Sequence, residues 1–257
     1  MVYLIHMTLR MRRVVGVALV LAGIGIAIYQ QQIVPQLQVE RGRQGAVQPA
    51  PSGDNATNES LAVTALNTIS VKGRAPKTGY TRAQFGDGWS KTGRCDTRNI
   101  ILHRDFKDAV VNGDCKVMSG TLNDPYTGKT ITFARGEQTS DDVQIDHVVA
   151  LSNAWQTGAQ QLTAIERIAL ANDPLELLAV DGPTNQKKGD GDAATWLPPN
   201  KAFRCQYVAR QIAVKSKYKL WVTQAENDAM RRVLGDCPNQ QLPAAMLGGS
   251  NELKSHF

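Results

Sequence analysis

The sequence predicts an α+β domain whose chemistry sits on a strand–turn–helix unit, and three observations carry that prediction. Val143–Val149 is a short apolar run that contains the ionisable pair Asp146-His147. Asn123-Asp124-Pro125-Tyr126-Thr127-Gly128 is a turn between two runs of strand-like composition. Beyond Ala202, apolar residues recur at helical spacing. Short runs bounded by turn residues read as strands, and the 3.6-residue period reads as helix.

Taken in order, Thr97–Val111 is expected as a first helix. Lys116–Leu122 and Lys129–Phe133 flank the Asn123–Gly128 turn as a β-hairpin, since Asn, Asp, Pro and Gly each favour turn geometry. Val143–Val149 is a third strand. Ser152–Ala171 has helical spacing interrupted at Gly158, which predicts two helices. Leu175–Val180 is a short strand, Asp181–Thr184 turns the chain sharply, and Asn185 opens a brief helix. Helices at about Ala202–Lys217 and Gln224–Leu234 close the domain, the second announced by the capping-box pair Thr223 and Glu226.

At 257 residues, 42% hydrophobic and 20% charged, the chain has material for one well-packed domain plus extensions. Residues 1–13 form a basic region containing Arg10, Arg12 and Arg13, expected to stay cytoplasmic. Residues 14–34 begin with the uncharged run Val14–Tyr29, intermediate between a signal-peptide core and a minimal membrane-spanning helix. A removed signal peptide and an uncleaved anchor both fit, and the absence of a clean small-x-small cleavage site favours the anchor. Either places the rest of the chain outside the cytoplasm. Residues 35–67, rich in Gln, Asn, Ser, Pro and Gly, read as a flexible linker, 68–238 as the folded domain and 239–257 as a tail.

All four cysteines, Cys95, Cys115, Cys205 and Cys237, follow the apolar segment, and none forms a C-x-x-C pair. That argues against a structural zinc site and for disulfides. Four cysteines allow three connectivities, of which Cys95–Cys115 with Cys205–Cys237 is the most local. The formal charge of +6 favours an anionic partner.

Two ionisable groups in a buried strand are costly unless they have a task. Asp146, His147, Asn185 and Lys188 are a carboxylate, an imidazole, an amide oxygen and an ammonium. Those are the parts needed to cut a phosphodiester with one divalent metal: a base to activate water, oxygen donors for the ion, and a charge for the phosphate. His147 is the general-base candidate, because an unperturbed imidazole titrates at about 6.5. Asp146 and Asn185 offer a hard ion such as Mg²⁺, with Mn²⁺ also suited, the oxygen donors it prefers. Lys188 can meet a phosphate oxygen. On a regular strand Asp146 and His147 point to opposite faces, so sharing a site demands a strand end or a local twist. Asp190 and Asp192 are weaker ligand candidates, His103 reads as structural, and His6 and His256 lie in the extensions.

Asp146-His147 followed by Leu175–Val180 and Asn185-Gln186-Lys187-Lys188-Gly189 resembles the ββα-metal motif of HNH endonucleases. More specifically, the chain resembles exported HNH proteins related to the C-terminal domain of the GmrSD restriction endonucleases (the DUF1524 family). The resemblance runs from about Trp89 to Cys237. It includes Cys95-Asp96-Thr97-Arg98-Asn99, Asp124-Pro125-Tyr126-Thr127-Gly128, Ile145-Asp146-His147-Val148-Val149 and Trp196-Leu197-Pro198-Pro199. It implies a ββα-metal core within an α+β domain, with His147 as general base and Asp146 and Asn185 as metal ligands. The pattern departs at Glu176, where an Asn that braces the site is usual, and in the long insertion at about Ser152–Asp173.

Arg98, Arg135 and Lys187 are candidate phosphate contacts. Lys187, Lys188, Lys201, Arg204, Arg210, Lys215, Lys217 and Lys219, interleaved with Phe203, Tyr207, Tyr218 and Trp221, could hold a phosphate backbone. The same stretch also reads as a helix with its aromatic face in the core and its lysines outward. The partner expected is nucleic acid, DNA ahead of RNA, with the membrane a second partner if the apolar segment persists; no protein partner is indicated. Competing readings are a surface DNA-binding module without activity and a hydrolase of another phosphoester.

Overall fold

The computed structural model describes residues 61–137 and 139–243. The basic region, the apolar segment, most of the expected linker and most of the tail lie outside them. Among the described residues no helix is long and apolar enough to cross a membrane.

Helix α1, Ala62–Thr68, places Ala62 and Leu66 in the core. The expected domain start at Thr68 is therefore the end of a packed helix, because Leu66 has apolar surface to bury. Leu61 bridges Gln241, and Leu242 is buried, so both ends of the domain meet. Two short strands follow, β1 (Lys91–Thr92) and β2 (Cys95–Asp96), then α2, Thr97–Asp105. Asp96 caps α2 by accepting from the Asn99 N–H at 2.8 Å.

The expected helix Thr97–Val111 stops at Asp105; Phe106–Val111 is strand β3. A β-branched pair, Val110-Val111, ends this segment and suits a pleated surface better than a helix. β3 pairs antiparallel with β4 (Val117–Asn123), which pairs with β5 (Thr130–Ala134), so the expected hairpin gains a third strand. The register shifts beyond Lys107, where Asp108 adopts φ 52°.

Strands β6 (Val143–His147) and β7 (Leu177–Asp181) form a separate antiparallel pair with Ile145 opposite Ala179 and Asp146 opposite Leu178. Between them run α3 (Leu151–Gln156) and α4 (Ala164–Ala171). The break expected at Gly158 is present: its φ of +132° is one that L side chains rarely adopt, and a Cβ there would press on Trp221. Helix α5, Gly182–Lys188, follows β7 directly. Asp181 caps it through the Thr184 N–H, so the helix starts ahead of the expected Asn185. A Cβ on Gly182 would lie 2.0 Å from the Asp141 carbonyl oxygen, so only glycine lets α5 begin so close to the start of β6. Helices α6 (Arg204–Lys217) and α7 (Gln224–Gly235) complete the domain, with the Thr223–Glu226 capping box formed.

The β6–β7 pair divides two apolar clusters. Val143, Ile145, Leu177 and Ala179 face α2 and the three-stranded sheet; Leu178 and Val180 join the larger helical core. Buried on both faces, β7 reads as a continuous apolar run and not as an alternation. Disulfides join Cys95 to Cys115 and Cys205 to Cys237, the most local pairing.

Candidate functional site

Asp146 and His147 occupy the end of β6, and His147 is its last residue. Both are buried, at 5% and 7% exposure, and both border one cavity of about 400 Å³ together with Asn185 and Arg98. The geometric demand set by strand alternation is met at the strand end.

The Asp146 carboxylate has two partners, and both come from distant segments. Tyr126 donates its hydroxyl to Oδ2. Lys188 Nζ lies 2.8 Å from each carboxylate oxygen and 2.6 Å from the His147 carbonyl oxygen. The Lys188 side chain is wholly buried. Expected to reach a phosphate, Lys188 instead lies beneath the site and off the cavity wall, because the last turn of α5 returns it under β6. A buried carboxylate is stable only when paired and hydrogen-bonded, and Lys188 and Tyr126 supply that.

His147 Nε2 sits 3.0 Å from the Ala171 carbonyl oxygen. A carbonyl only accepts, so Nε2 carries the proton and the neutral ring keeps its lone pair on Nδ1. The Trp89 indole lies flat against the imidazole, ring centroids 5.7 Å apart and planes 9° from parallel. Burial pushes the imidazole down from the ordinary 6.5 to about 3, against the opposing pull of the Ala171 hydrogen bond. The ring is thus held neutral and in one tautomer.

The Asn185 amide nitrogen donates to Gln144 Oε1 at 3.0 Å, and Asn185 borders the cavity with its amide oxygen as the remaining acceptor. Glu176 is fully buried, and its carboxyl oxygens accept from the Val149 N–H at 3.2 and 3.3 Å. Its own backbone carbonyl accepts from the Val148 N–H at 2.9 Å. Glu176 thereby fixes the chain just after His147, at the place where an Asn was expected. Burial holds its carboxyl well above the ordinary range.

The phosphate candidates separate. Arg98 borders the cavity, with one guanidinium nitrogen on the Ser140 and Val143 carbonyls. Arg135 does not: its Nε donates to the Val117 carbonyl and its Nη2 to Asn99, which ties β5 to β4 and α2. Lys187 is exposed on α5 but off the cavity wall. The basic stretch also disperses. Lys215 is buried against Glu226, Lys217 pairs with Asp173, and Arg204 and Arg210 donate to backbone carbonyls. Tyr207 and Trp221 are in the core. The amphipathic reading holds for the aromatics, and helix packing, not a shared surface, sets where the charges go. Asp192 caps its own turn and pairs with Arg74, and Asp190 pairs with Lys77.

Sequence reasoning missed Tyr126, Trp89 and Arg82. Tyr126 belongs to the Asp124–Gly128 turn, whose Asp124 carboxylate accepts from the Thr127 and Asp181 N–H groups at 2.7 and 3.0 Å. That docks the β4–β5 turn on the β7–α5 junction and delivers the tyrosine to Asp146. Trp89 and Arg82 precede any recognisable motif.

No group of three His, Cys, Asp or Glu suited to a metal occurs among the described residues. One carboxylate and one amide oxygen on a cavity wall fit a hard ion that keeps most of its water, and do not fit a closed zinc site.

The sequence model of the GmrSD restriction endonucleases, C-terminal domain, matches residues 96–233. A protein of Arthroderma benhamiae named "Uncharacterized secreted protein" is 39% identical over 191 residues, covering 74% of this chain and 91% of that protein. No solved structure matches. The matched span takes in Tyr126, Asp146, His147, Glu176, Asn185 and Lys188, while Trp89 and Arg82 precede it. This chain belongs to the family of the C-terminal domain of the GmrSD restriction endonucleases.

Proposed function

We propose that this chain is an HNH-type endonuclease that hydrolyses phosphodiester bonds of nucleic acid, DNA ahead of RNA, outside the cytoplasm. The observation that carries the reading is the meeting of Asp146, His147 and Asn185 on one cavity, with the His147 tautomer fixed by Ala171. The antiparallel pair β6–β7 leading directly into α5 is the arrangement a ββα-metal core requires. Family membership supports a nuclease-like chemistry. The two disulfides, and the secreted relative, support a site of action beyond the reducing cytoplasm. Residues 14–34 would deliver the domain there and, if retained, tether it to the membrane.

His147 Nδ1 takes a proton from water for in-line attack on phosphorus. Asp146 and Asn185 would hold a divalent ion, Mg²⁺ by preference with Mn²⁺ also suited. When bound there, it would supply positive charge for the phosphate and the departing 3′ oxygen. Lys188 and Tyr126 fix the Asp146 carboxylate, and Glu176 fixes the backbone beyond His147. Arg98, on the cavity wall, adds positive charge where the phosphate arrives. The products are 5′-phosphate and 3′-hydroxyl ends.

The test incubates the full oxidised chain with plasmid DNA and with RNA in Mg²⁺, Mn²⁺ or EDTA, with His147→Ala in parallel. Metal-dependent nicking that His147→Ala loses is expected. Intact nucleic acid in every metal, from folded protein, would sink the nuclease reading and favour a binding module or another phosphoester.

A further inference from the structure

A second cavity, of about 370 Å³, opens beside the first. Its wall is largely apolar, with Phe85, Trp89, Leu151 and Ala171 on it, and Asp87 is its one carboxylate. Arg82, Trp89, His147 and Leu151 border both cavities, so the two meet at the imidazole and at the indole stacked on it. Arg82 stands at that junction. It is exposed, and among the described residues no salt bridge or side-chain hydrogen bond engages it. Its charge is nonetheless felt at both His147 and Tyr80.

An apolar slot beside the general base is a poor place for a sugar–phosphate backbone, which carries charge and water. A nucleobase suits it, because its flat faces stack on aromatic side chains whatever its identity. The volume is at the small end for ligand pockets, which run from about 300 to 1,000 Å³, so it suits one ring system and not a duplex. A base inside a duplex is stacked and paired and must leave the stack to enter such a slot. The cation at the slot's mouth then meets the phosphate attached to that nucleotide.

We propose that Arg82 binds the phosphate adjoining the scissile bond while the Phe85–Trp89–Leu151 slot takes one unpaired base, so that the substrate is single-stranded or locally unpaired nucleic acid. This rests on the phosphodiester reading above and adds the form of the substrate to it. Arg82, Phe85 and Trp89 lie outside the span matched to the family, which begins at residue 96, whereas Leu151 and Ala171 lie within it.

The experiment measures kcat and KM for the full chain on a single strand, a perfect duplex and a duplex with one unpaired base, in DNA and RNA versions. Arg82→Gln and Ala83→Leu are compared with wild type. Ala83 is exposed and borders the apolar slot but not the cavity that Asp146 and Asn185 line, so a larger side chain there acts on the slot. Binding of a 2-aminopurine oligonucleotide in EDTA, read by fluorescence, follows base docking without catalysis. Expected is a preference of at least about tenfold for unpaired substrates, the size that one base–aromatic stack supports. Ala83→Leu should remove most of that preference and the fluorescence change. Arg82→Gln should raise KM on every substrate and reduce the salt slope by about one.

Equal cleavage of duplex and single strand, unaltered by Ala83→Leu, overturns this inference and leaves the nuclease standing. A fluorescence change that Ala83→Leu abolishes, with no cleavage of any substrate, overturns the nuclease and leaves the slot. Absence of both overturns both.

Discussion

Replacing Lys188 with Met tests whether its ammonium holds the site from beneath or meets substrate from the cavity. The side chain is wholly buried, and Nζ serves three acceptors within 2.8 Å: both Asp146 oxygens and the His147 carbonyl. Removing it leaves a buried carboxylate supported by Tyr126 alone. Breaking a buried pair in this way costs about 3–5 kcal/mol. That is a large share of the roughly 5–15 kcal/mol that separates folded from unfolded domains. With a urea slope of about 2 kcal/mol per molar, the midpoint falls by about 2 M. The assay is urea unfolding of the oxidised protein followed by tryptophan fluorescence, with Asp146→Asn and the double variant completing a cycle. Because the double variant removes both charges, it should cost less than the sum of the singles. A Lys188→Met protein within about 0.5 kcal/mol of wild type, as a surface change would be, with a raised KM, would refute the buried-strut reasoning and return Lys188 to the phosphate.

Three further outcomes follow from particular contacts. Glu176→Ala should cost about 1–3 kcal/mol by leaving the buried Val149 N–H without an acceptor. Glu176→Gln keeps an acceptor and should recover most of that loss in thermal unfolding; equal losses would mean that the contact does not brace the loop. Lys215→Met removes the cation from the fully buried Glu226, whose carboxyl burial already pushes up while Lys215 pulls it down. The folded carboxyl then binds protons more readily than the unfolded one. The variant's stability therefore declines as pH rises above the unfolded value of about 4.3. Its deficit relative to wild type should be larger at about pH 7 than at about pH 4.5 in urea titrations; a deficit independent of pH would show that the charge of Glu226 is not what Lys215 neutralises. Arg135→Ala should lower stability by about 1–2 kcal/mol through its lost contacts to Val117 and Asn99. Its KM should stay at the wild-type value, and a raised KM would put Arg135 back among the phosphate contacts.

The strand carrying Asp146-His147, the Gly158 break, the Thr223–Glu226 cap and the β4–β5 hairpin were all legible because each depends on neighbours in sequence. The third strand, β3, was not. Phe106–Val111 follows α2 without a turn signal, and besides the β-branched Val110-Val111 it is pairing with β4, Phe106 opposite Leu122, that makes it strand. Asn185 was assigned to the start of a helix that Asp181 in fact caps, since both residue types cap well and the choice is set by where β7 ends.

By itself the sequence determined the inventory: which acids, bases and amides are present, and that they lie near a strand end and a short helix. It also marked the cysteines as disulfides and identified the family. Only the tertiary structure decided who meets whom. Lys187 and Lys188 are neighbours in sequence, yet one is exposed and the other wholly buried, because successive residues of a helix point about 100° apart and α5 turns Lys188 inward. Tyr126 reaches Asp146, Glu176 reaches Val149, and Trp89 reaches His147, each across a long separation in the chain. The physical reason is that a buried charge is tolerated only where its partners converge in space. That convergence is fixed by packing between elements and leaves no periodic trace in the chain.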